Sequence, residues 1–504
     1  MQEEVGTVIG ESTPQFAKVI SKKVIRLGEY LLLPYDGLDV LGMVVKVYRG
    51  NPMVGEDVKS VDIANKLIIN MKDNLEYVTA IVKLIMNLNN YTSPDLPPSP
   101  GTKAYRAPKE VLEKIFCNIE EGIKIGKLIG SDVEVKLNVN YLLSRHLAIL
   151  AATGAGKSNT VAVLSSNIAE IGGTVVIFDV HGEYSSSTMN KELLPPIIGP
   201  KDMNFDELLR LLNLRDNAYV QQRILRKAYK RVMERISKEI SLIDGNQFIE
   251  YLAEEVKKIL GGNEETEEDK RIKERKDVVF EILNKLDDFK ERVGYLIRSY
   301  GKNILESLMP GNVYVVDMSS LDEYSMDVVV SHFLRKMLEG RKNYLRRRIG
   351  GPKIPILIVI EEAHILLSRE KQSLSSYWAS KIAREGRKFG LGLCIVSQRP
   401  KSITQEVLSQ MDNKIVLRIV EPTDQQYIMQ SSDNMSSDLI DQLPSLNVGQ
   451  AIIVGRSIKL PAIVQIEKFN GKLGGADPNI VKEWKDAIRE MKEEENIARD
   501  VMAM

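Results

Sequence analysis

The chain has 504 residues, 43% hydrophobic and 27% charged, which exceeds one ordinary domain and predicts about two to four units with real cores. Lys+Arg and Asp+Glu are both 69, so the formal charge is zero; a globally basic nucleic-acid binder is excluded, and any contact with DNA must be argued from motifs. Cys117 and Cys394 make no disulfide framework, His146, His181, His332 and His364 show no zinc spacing, and neither a membrane-length apolar run nor a signal-like start is present, so the expectation is an intracellular protein without a membrane partner.

The first hundred residues hold short β-rich runs (VGTVIG, FAKVI, YLLLPY, LGMVVKVYRG) punctuated by Gly, Pro and Asp, which predicts a small barrel. Residues 61–90 have an apolar period compatible with helix or strand, and YTSPDLPPSPGT at 91–102 reads as an exposed loop or hairpin tip. From about 139 the pattern becomes apolar strands followed by amphipathic helices: HLAILAA, GTVVIFDV, VYVVDM, PILIVIEEA, LGLCIVSQ and NKIVLRIV are runs suited to a parallel sheet buried on both faces, a doubly wound α/β core. About 130 residues separate GTVVIFDV from VYVVDM, too many for a crossover, and they read as amphipathic helices around the charged stretch 261–276. The tail from DPNIVKEW onward is a charged amphipathic helix, expected to pack on the core through Ile480, Trp484 and Ile488 or to strap a neighbouring subunit. The predicted division is 1–138 for the barrel domain and its connection, 139–200 with 301–470 for the core, 201–300 for the helical insertion and 471–504 for the tail.

A strand runs into A-A-T-G-A-G-K-S at 151–158 and a helix follows, the setting of a phosphate-binding loop whose first glycine place holds Ala151. Its candidate ATP-binding residues are Ala152, Thr153, Gly154, Ala155, Gly156, Lys157, Ser158 and Asn159: backbone N–H groups at the helix start wrap the β-phosphate, Lys157 reaches the β/γ-oxygens and the Ser158 hydroxyl ligates Mg²⁺. An alanine fits the turn entry if its φ is not left-handed.

PILIVIEEAH ends a buried strand in paired carboxylates, at the edge where ligands of doubly wound sheets sit. Glu361 is assigned to the Mg²⁺ shell and Glu362 to the attacking water, with the reverse assignment left open. VVIFDVHGEY brings Asp179 and Glu183 to the same edge, His181 having a structural hydrogen bond as its default role, and LGLCIVSQRP brings Gln398. Transition-state charge on a γ-phosphate is commonly neutralised by an arginine in trans; Arg387, Arg384 and Arg145 are the candidates, Arg387 first.

Taken together, SRHLAILAATGAGKSNT, FDVHGEY, ILIVIEEAH, REGRKFGLGL, VSQRP and LPSLNVGQAIIVG resemble the HerA branch of the HerA/FtsK family of hexameric DNA-pumping ATPases. The resemblance spans nearly the whole chain and implies a RecA-like P-loop NTPase core, an N-terminal HAS-type barrel and an inserted helical bundle. It implies a homohexamer that hydrolyses ATP with Mg²⁺ between subunits and draws double-stranded DNA through its central channel. It further implies a NurA-type nuclease partner, action with Mre11–Rad50 in double-strand break end resection and recombinational repair, and a cytoplasmic, nucleoid-associated location. The residues alone also admit a protein-remodelling ring, for which Tyr377-Trp378 would be pore aromatics unless they form a buried pair, or a nucleotide-stabilised scaffold for a nuclease. Residues 369–380 and Lys401 are the candidate pore positions, since a few basic residues per subunit suffice to track phosphates around a ring.

Overall fold

The computed structural model describes residues 3–52, 54, 60–62, 76–212, 214, 217–238, 243–261, 276–299, 304–370, 373–432, 434–475 and 480–489. Six N-terminal strands close into an antiparallel barrel: β1 (Glu4–Val8), β2 (Phe16–Ser21), β3 (Tyr30–Tyr35), β4 (Leu38–Gly50), β5 (Tyr77–Asn87) and β6 (Lys103–Arg106), in the order β1-β2-β5-β4-β3-β6. Tyr35 and Leu38 pair across Asp36-Gly37, both at positive φ (47° and 74°), the two-residue geometry that matches strand twist. Closure needs bends, and the β4–β5 register shifts at Leu41/Gly42 and again at Val44/Lys46. At the first shift a side chain on Gly42 would meet Val82 Cγ1 at 2.5 Å. Of the ambiguous segment 61–90, residues 77–87 are strand β5, while 63–75 lie outside the described residues. Residues 91–102 carry the chain irregularly and mostly exposed to β6.

Eleven further strands form one sheet: β7 (Gly122–Leu128), β8 (Glu134–Asn138), β9 (Leu147–Leu150), β10 (Val175–Asp179), β11 (Glu192–Leu194), β12 (Val313–Asp317), β13 (Ile356–Ile360), β14 (Leu391–Ser397), β15 (Asn413–Val416), β16 (Gln450–Val454) and β17 (Ala462–Ile466). Their order is β11-β12-β10-β13-β14-β9-β15-β16-β17-β7-β8. The pairings from β11 to β15 are parallel, and β9, β10, β13, β14 and β15 are buried at every residue, as continuous Ile/Val/Leu runs require. Beyond β15 the sheet turns antiparallel, so the late strand pair β16–β17 and the early hairpin β7–β8 extend the same edge.

Helices Phe205–Leu211, Tyr219–Lys238, Gly245–Gly261 and Lys276–Val293 lie between β11 and β12 in sequence. Ile224, Ala228, Val232 and Ile236 make a four-residue buried stripe on the second of these, the period of a helix with one apolar face. The bundle meets the core through Glu207, which lies buried with His332 and Arg335 of the helix Glu323–Arg347. Most of the charged stretch at 261–276 lies outside the described residues.

The expected packing of the tail on the core does not occur. On the described helix at 480–489, Ile480, Trp484 and Ile488 are 54%, 65% and 54% exposed, so among the described residues nothing covers its apolar side; residues 490–504 lie outside the described residues. Among the described residues no helix is long and apolar enough to cross a membrane.

Candidate active site

β9 lies between β14 and β15, and the loop leaving it is pinned to both neighbours. Ala151 N donates to Ser397 O (3.1 Å) and Ala152 N to Arg418 O (2.8 Å). Ala151 is fully buried and is not among the residues with positive φ, so its methyl group fits where the usual pattern has glycine. Gly154 and Gly156 do need their freedom, at φ 73° and 107°; a side chain on Gly156 would also stand 3.3 Å from Gly449 Cα. The helix Lys157–Glu170 begins with no side-chain cap and no acidic residue in its first turn, which leaves its N–H groups and positive dipole end available to an anion. Gly449, at the start of β16, closes the far side by donating to Ala155 O (3.0 Å).

The two strand-end carboxylates occupy opposite electrostatic settings. Burial raises the Glu361 carboxyl, Lys157 offsets part of this, and Asp179 and Glu183 add to it, leaving it at about 8. Its Oε2 accepts only a 3.3 Å bond from Val180 N, and its Oε1 has no hydrogen-bond partner, the Lys157 ammonium standing 3.5 Å away. Burial acts on Glu362 too, but His364, Lys157 and Gln398 outweigh it and hold the carboxyl at about 2. Lys157 bonds directly to Glu362 Oε1, Gln398 Nε2 donates to the same atom (2.7 Å), and His364 Nδ1 lies 3.1 Å from Oε2. Glu362 itself sits at φ 43°, ψ 45°, a left-handed backbone unusual for a residue with a side chain, at the N-cap of the short helix Ala363–Leu366. Gln398 also accepts from Thr153 Oγ1, so one amide bridges the phosphate loop and the acid strand.

Buried oxygens without hydrogen-bond partners lie here, among them Glu361 Oε1, Glu183 Oε2 and the Tyr184 hydroxyl, whose surroundings include Ser158, Glu361 and Asp179. These hard donors suit a divalent cation. Among the described residues no group of three His, Cys, Asp or Glu could by itself hold a metal ion.

Other predicted residues are placed differently. Asp179 is fully buried and turns both oxygens to its own loop, accepting Glu183 N (3.1 Å), Tyr184 N (3.0 Å) and Ser185 N (2.8 Å), and so shapes that loop. Asn159 engages its amide with another segment, Nδ2 donating to Glu467 O and Oδ1 accepting from Phe469 N, both at 2.8 Å. His181 is exposed, with Nε2 3.9 Å from Glu362 Oε1.

Arg145, Arg384 and Arg387 stand at the opposite edge of the sheet. Arg145 directly precedes the start of β9, and Arg384 and Arg387 the start of β14. Those parallel strands carry the P-loop and Gln398 at their other ends; the seven residues of β14 span about 20 Å. Arg145 is 3.8 Å from Asp412 and Arg384 2.8 Å from Glu406, whereas exposed Arg387 has no ion pair among the described residues. Burial, with help from Arg387 and Arg145, brings the buried His146 imidazole beneath them down to about 4. The three arginines cannot serve the phosphate loop of their own chain.

Of the candidate pore positions, Lys401 is engaged by Glu421 and Thr423 and residues 371–372 lie outside the described residues. Tyr377 is 54% exposed and edge-on to Trp378 (5.2 Å), with the Lys381 ammonium over both rings; the expected buried pair is half open. Sequence reading passed over Tyr184, His364 and Gly449. The first two lie within five residues of the ends of buried, acid-terminated strands, a signal that was present; Gly449 is nearly 300 residues from the loop it touches and gave none.

Comparison with known proteins bears on the family and the fold. Residues 5–86 match the HAS barrel domain, 123–337 the family described as Helicase HerA, central domain, and 310–474 Helicase HerA-like C-terminal. The chain is 46% identical to the DNA double-strand break repair helicase HerA of Saccharolobus solfataricus, over 98% of this chain and 97% of that protein. It is 45% identical to the protein of the same name from Sulfurisphaera tokodaii, over 98% and 99%. Among solved structures, the bacterial conjugative coupling protein TrwBdeltaN70, in its trigonal form in complex with sulphate, is similar in fold at 15% identity and a TM-score of 0.50, over 73% of this chain and 94% of that one.

Proposed function

The chain belongs to the HerA helicase family, and from that premise we propose that it is an ATP-driven DNA translocase or helicase of double-strand break repair. The observation that carries this reading is the division of the catalytic groups between two edges of one sheet. Lys157, Glu361, Glu362 and Gln398 gather at the phosphate loop, while the arginines suited to transition-state charge face away from it at the other edge. A single chain is half a site; a ring in which one copy's arginine edge faces the next copy's phosphate loop completes it.

Lys157 bonds to Glu362. ATP draws the ammonium to its β- and γ-oxygens, which releases the Glu362 carboxylate to orient the attacking water while Gln398 holds the acid to the loop. Ser158 and Glu361 would hold Mg²⁺, which neutralises phosphate charge. Arg387 of a neighbouring copy supplies the positive charge in trans, with Arg145 and Arg384 as its companions at that edge. The assembly is a homohexamer with duplex DNA in its channel, partnered by a NurA-type nuclease and acting with Mre11–Rad50 in end resection. The segments divide accordingly: 1–138 for docking and connection, 139–200 with 301–470 for hydrolysis, 201–300 as the helical insertion and 471–504 as the tail.

ATP turnover measured with and without blunt duplex DNA tests the reading. Duplex should raise the rate about tenfold or more, and Lys157→Ala should abolish it. Turnover indifferent to DNA, or stimulated by unfolded protein instead, would refute it.

A further inference from the structure

After β17 the chain crosses the nucleotide site from Glu467 to Gly475 without regular structure and makes two attachments there. The first is Asn159, in the opening turn of the P-loop helix, whose side chain donates to Glu467 O and accepts from Phe469 N, each at 2.8 Å. The second is the loop after β10. Thr188 N donates to Lys472 O (2.9 Å), Lys472 N to Thr188 Oγ1 (2.8 Å), and Gly474 N to Glu183 O (2.9 Å). Phe469 and Leu473 pack partly buried against the core between these points.

The strap fits the loop because it is glycine there. A side chain on Gly474 would stand 1.7 Å from Ser186 Oγ and 3.0 Å from the carbonyls of Gly182 and Glu183. Gly475, at φ +67°, would place one 2.9 Å from Glu183 Cγ. Glu183 is therefore held on three sides: its N–H by Asp179, its carbonyl by Gly474 and its side chain by Gly475. Its Oε2 is one of the buried, unpartnered oxygens on the cation side of the pocket.

We propose that the strap 467–475 is a positioning element of the hydrolytic site: Asn159 clamps it to the P-loop helix, and Gly474–Gly475 seat Glu183 beside Glu361, where it holds the water shell of the nucleotide-bound cation. The inference rests on the ATPase reading above. It gives Asn159 a role at the site without nucleotide contact, and it ties the phosphate loop to the acid loop through a segment 308 residues away.

The test uses the full chain with Asn159→Ala, Gly475→Ala, Glu183→Gln and the double variant Asn159→Ala/Glu183→Gln. Affinity for a fluorescent ATP analogue is measured in EDTA and in Mg²⁺, together with kcat, KM and the melting temperature. Asn159→Ala and Gly475→Ala should lower kcat about tenfold or more and reduce the Mg²⁺ enhancement of affinity to the level of Glu183→Gln. Affinity in EDTA should stay at the wild-type value, and the double variant should be no worse than Glu183→Gln alone. A wild-type Mg²⁺ enhancement in Asn159→Ala, additive losses in the double variant, or an equal loss of affinity in EDTA would each overturn the inference while leaving the ATPase reading intact. A wild-type protein that binds or hydrolyses no ATP would overturn both.

Discussion

Replacing Glu207 by Gln should loosen the helical insertion from the core by about 3 kcal/mol at neutral pH. Glu207 is buried at the foot of the insertion, where its carboxylate accepts from Arg335 Nε (2.8 Å) and Nη2 (3.0 Å), faces His332 Nδ1 at 3.3 Å and takes Asn204 N (2.9 Å) in a capping box. Burial raises its pKa, and His332 and Arg335 more than reverse this, bringing it from 4.5 to about 2. At about 1.4 kcal/mol per pH unit that displacement corresponds to about 3 kcal/mol. The folded pKa is depressed, so the contribution is complete above pH 4.5 and is lost as pH falls towards 2. The variant keeps the capping acceptor but leaves the buried Arg335 with only the half-exposed Glu339 (3.0 Å) as counter-charge, the costly way to break such a pair. Amide hydrogen exchange over Phe205–Leu211 and Tyr219–Lys238 should accelerate on the order of 100-fold at pH 7. The melting temperatures of variant and wild type should converge as pH falls to about 3. Wild-type exchange in the variant, or a difference in melting that persists undiminished at low pH, would refute the reasoning.

Glu362→Gln should lower ATP turnover about 100-fold or more while a fluorescent nucleotide still binds, since the amide keeps a carbonyl oxygen for Lys157 and Gln398 but cannot accept a proton. Arg387→Ala should bind nucleotide and fail to hydrolyse it; mixing it with Lys157→Ala should restore part of the activity, because an intact phosphate loop then meets an intact arginine at some interfaces. Neutral His146 donates from Nε2 to Ala383 O (2.9 Å) and accepts Leu393 N at Nδ1 (3.0 Å), and its pKa falls from 6.5 to about 4. The unfolded chain takes up the proton first, so this site's stability is complete above pH 6.5 and declines by about 3 kcal/mol towards pH 4; His146→Gln should flatten the melting curve over that window.

The parts legible in the sequence were those with local signatures. Buried strands announce themselves as continuous apolar runs, and the phosphate loop as glycines between strand and helix. Strand direction also carries information: because Arg387 precedes β14 and Gln398 follows it, the two must lie at opposite edges. Long-range placement left no such trace. Nothing near Gly126 says that it will pair beside Ile466 and carry the β7–β8 hairpin to the sheet's far edge. Asn159 looks like a nucleotide contact because of its neighbours, yet its amide belongs to a strap from the other end of the chain. The tail's period shows that a helix has an apolar face, but not what covers it; among the described residues, Ile480, Trp484 and Ile488 stay exposed.

The central claim, that hydrolysis at this pocket moves the protein along duplex DNA, is tested most directly by displacement of streptavidin from the biotinylated end of a blunt duplex, with ATP turnover followed in the same reaction. The account predicts displacement that requires ATP, scales with turnover and disappears in Glu362→Gln. Vigorous turnover without displacement, or displacement in the absence of hydrolysis, would contradict it.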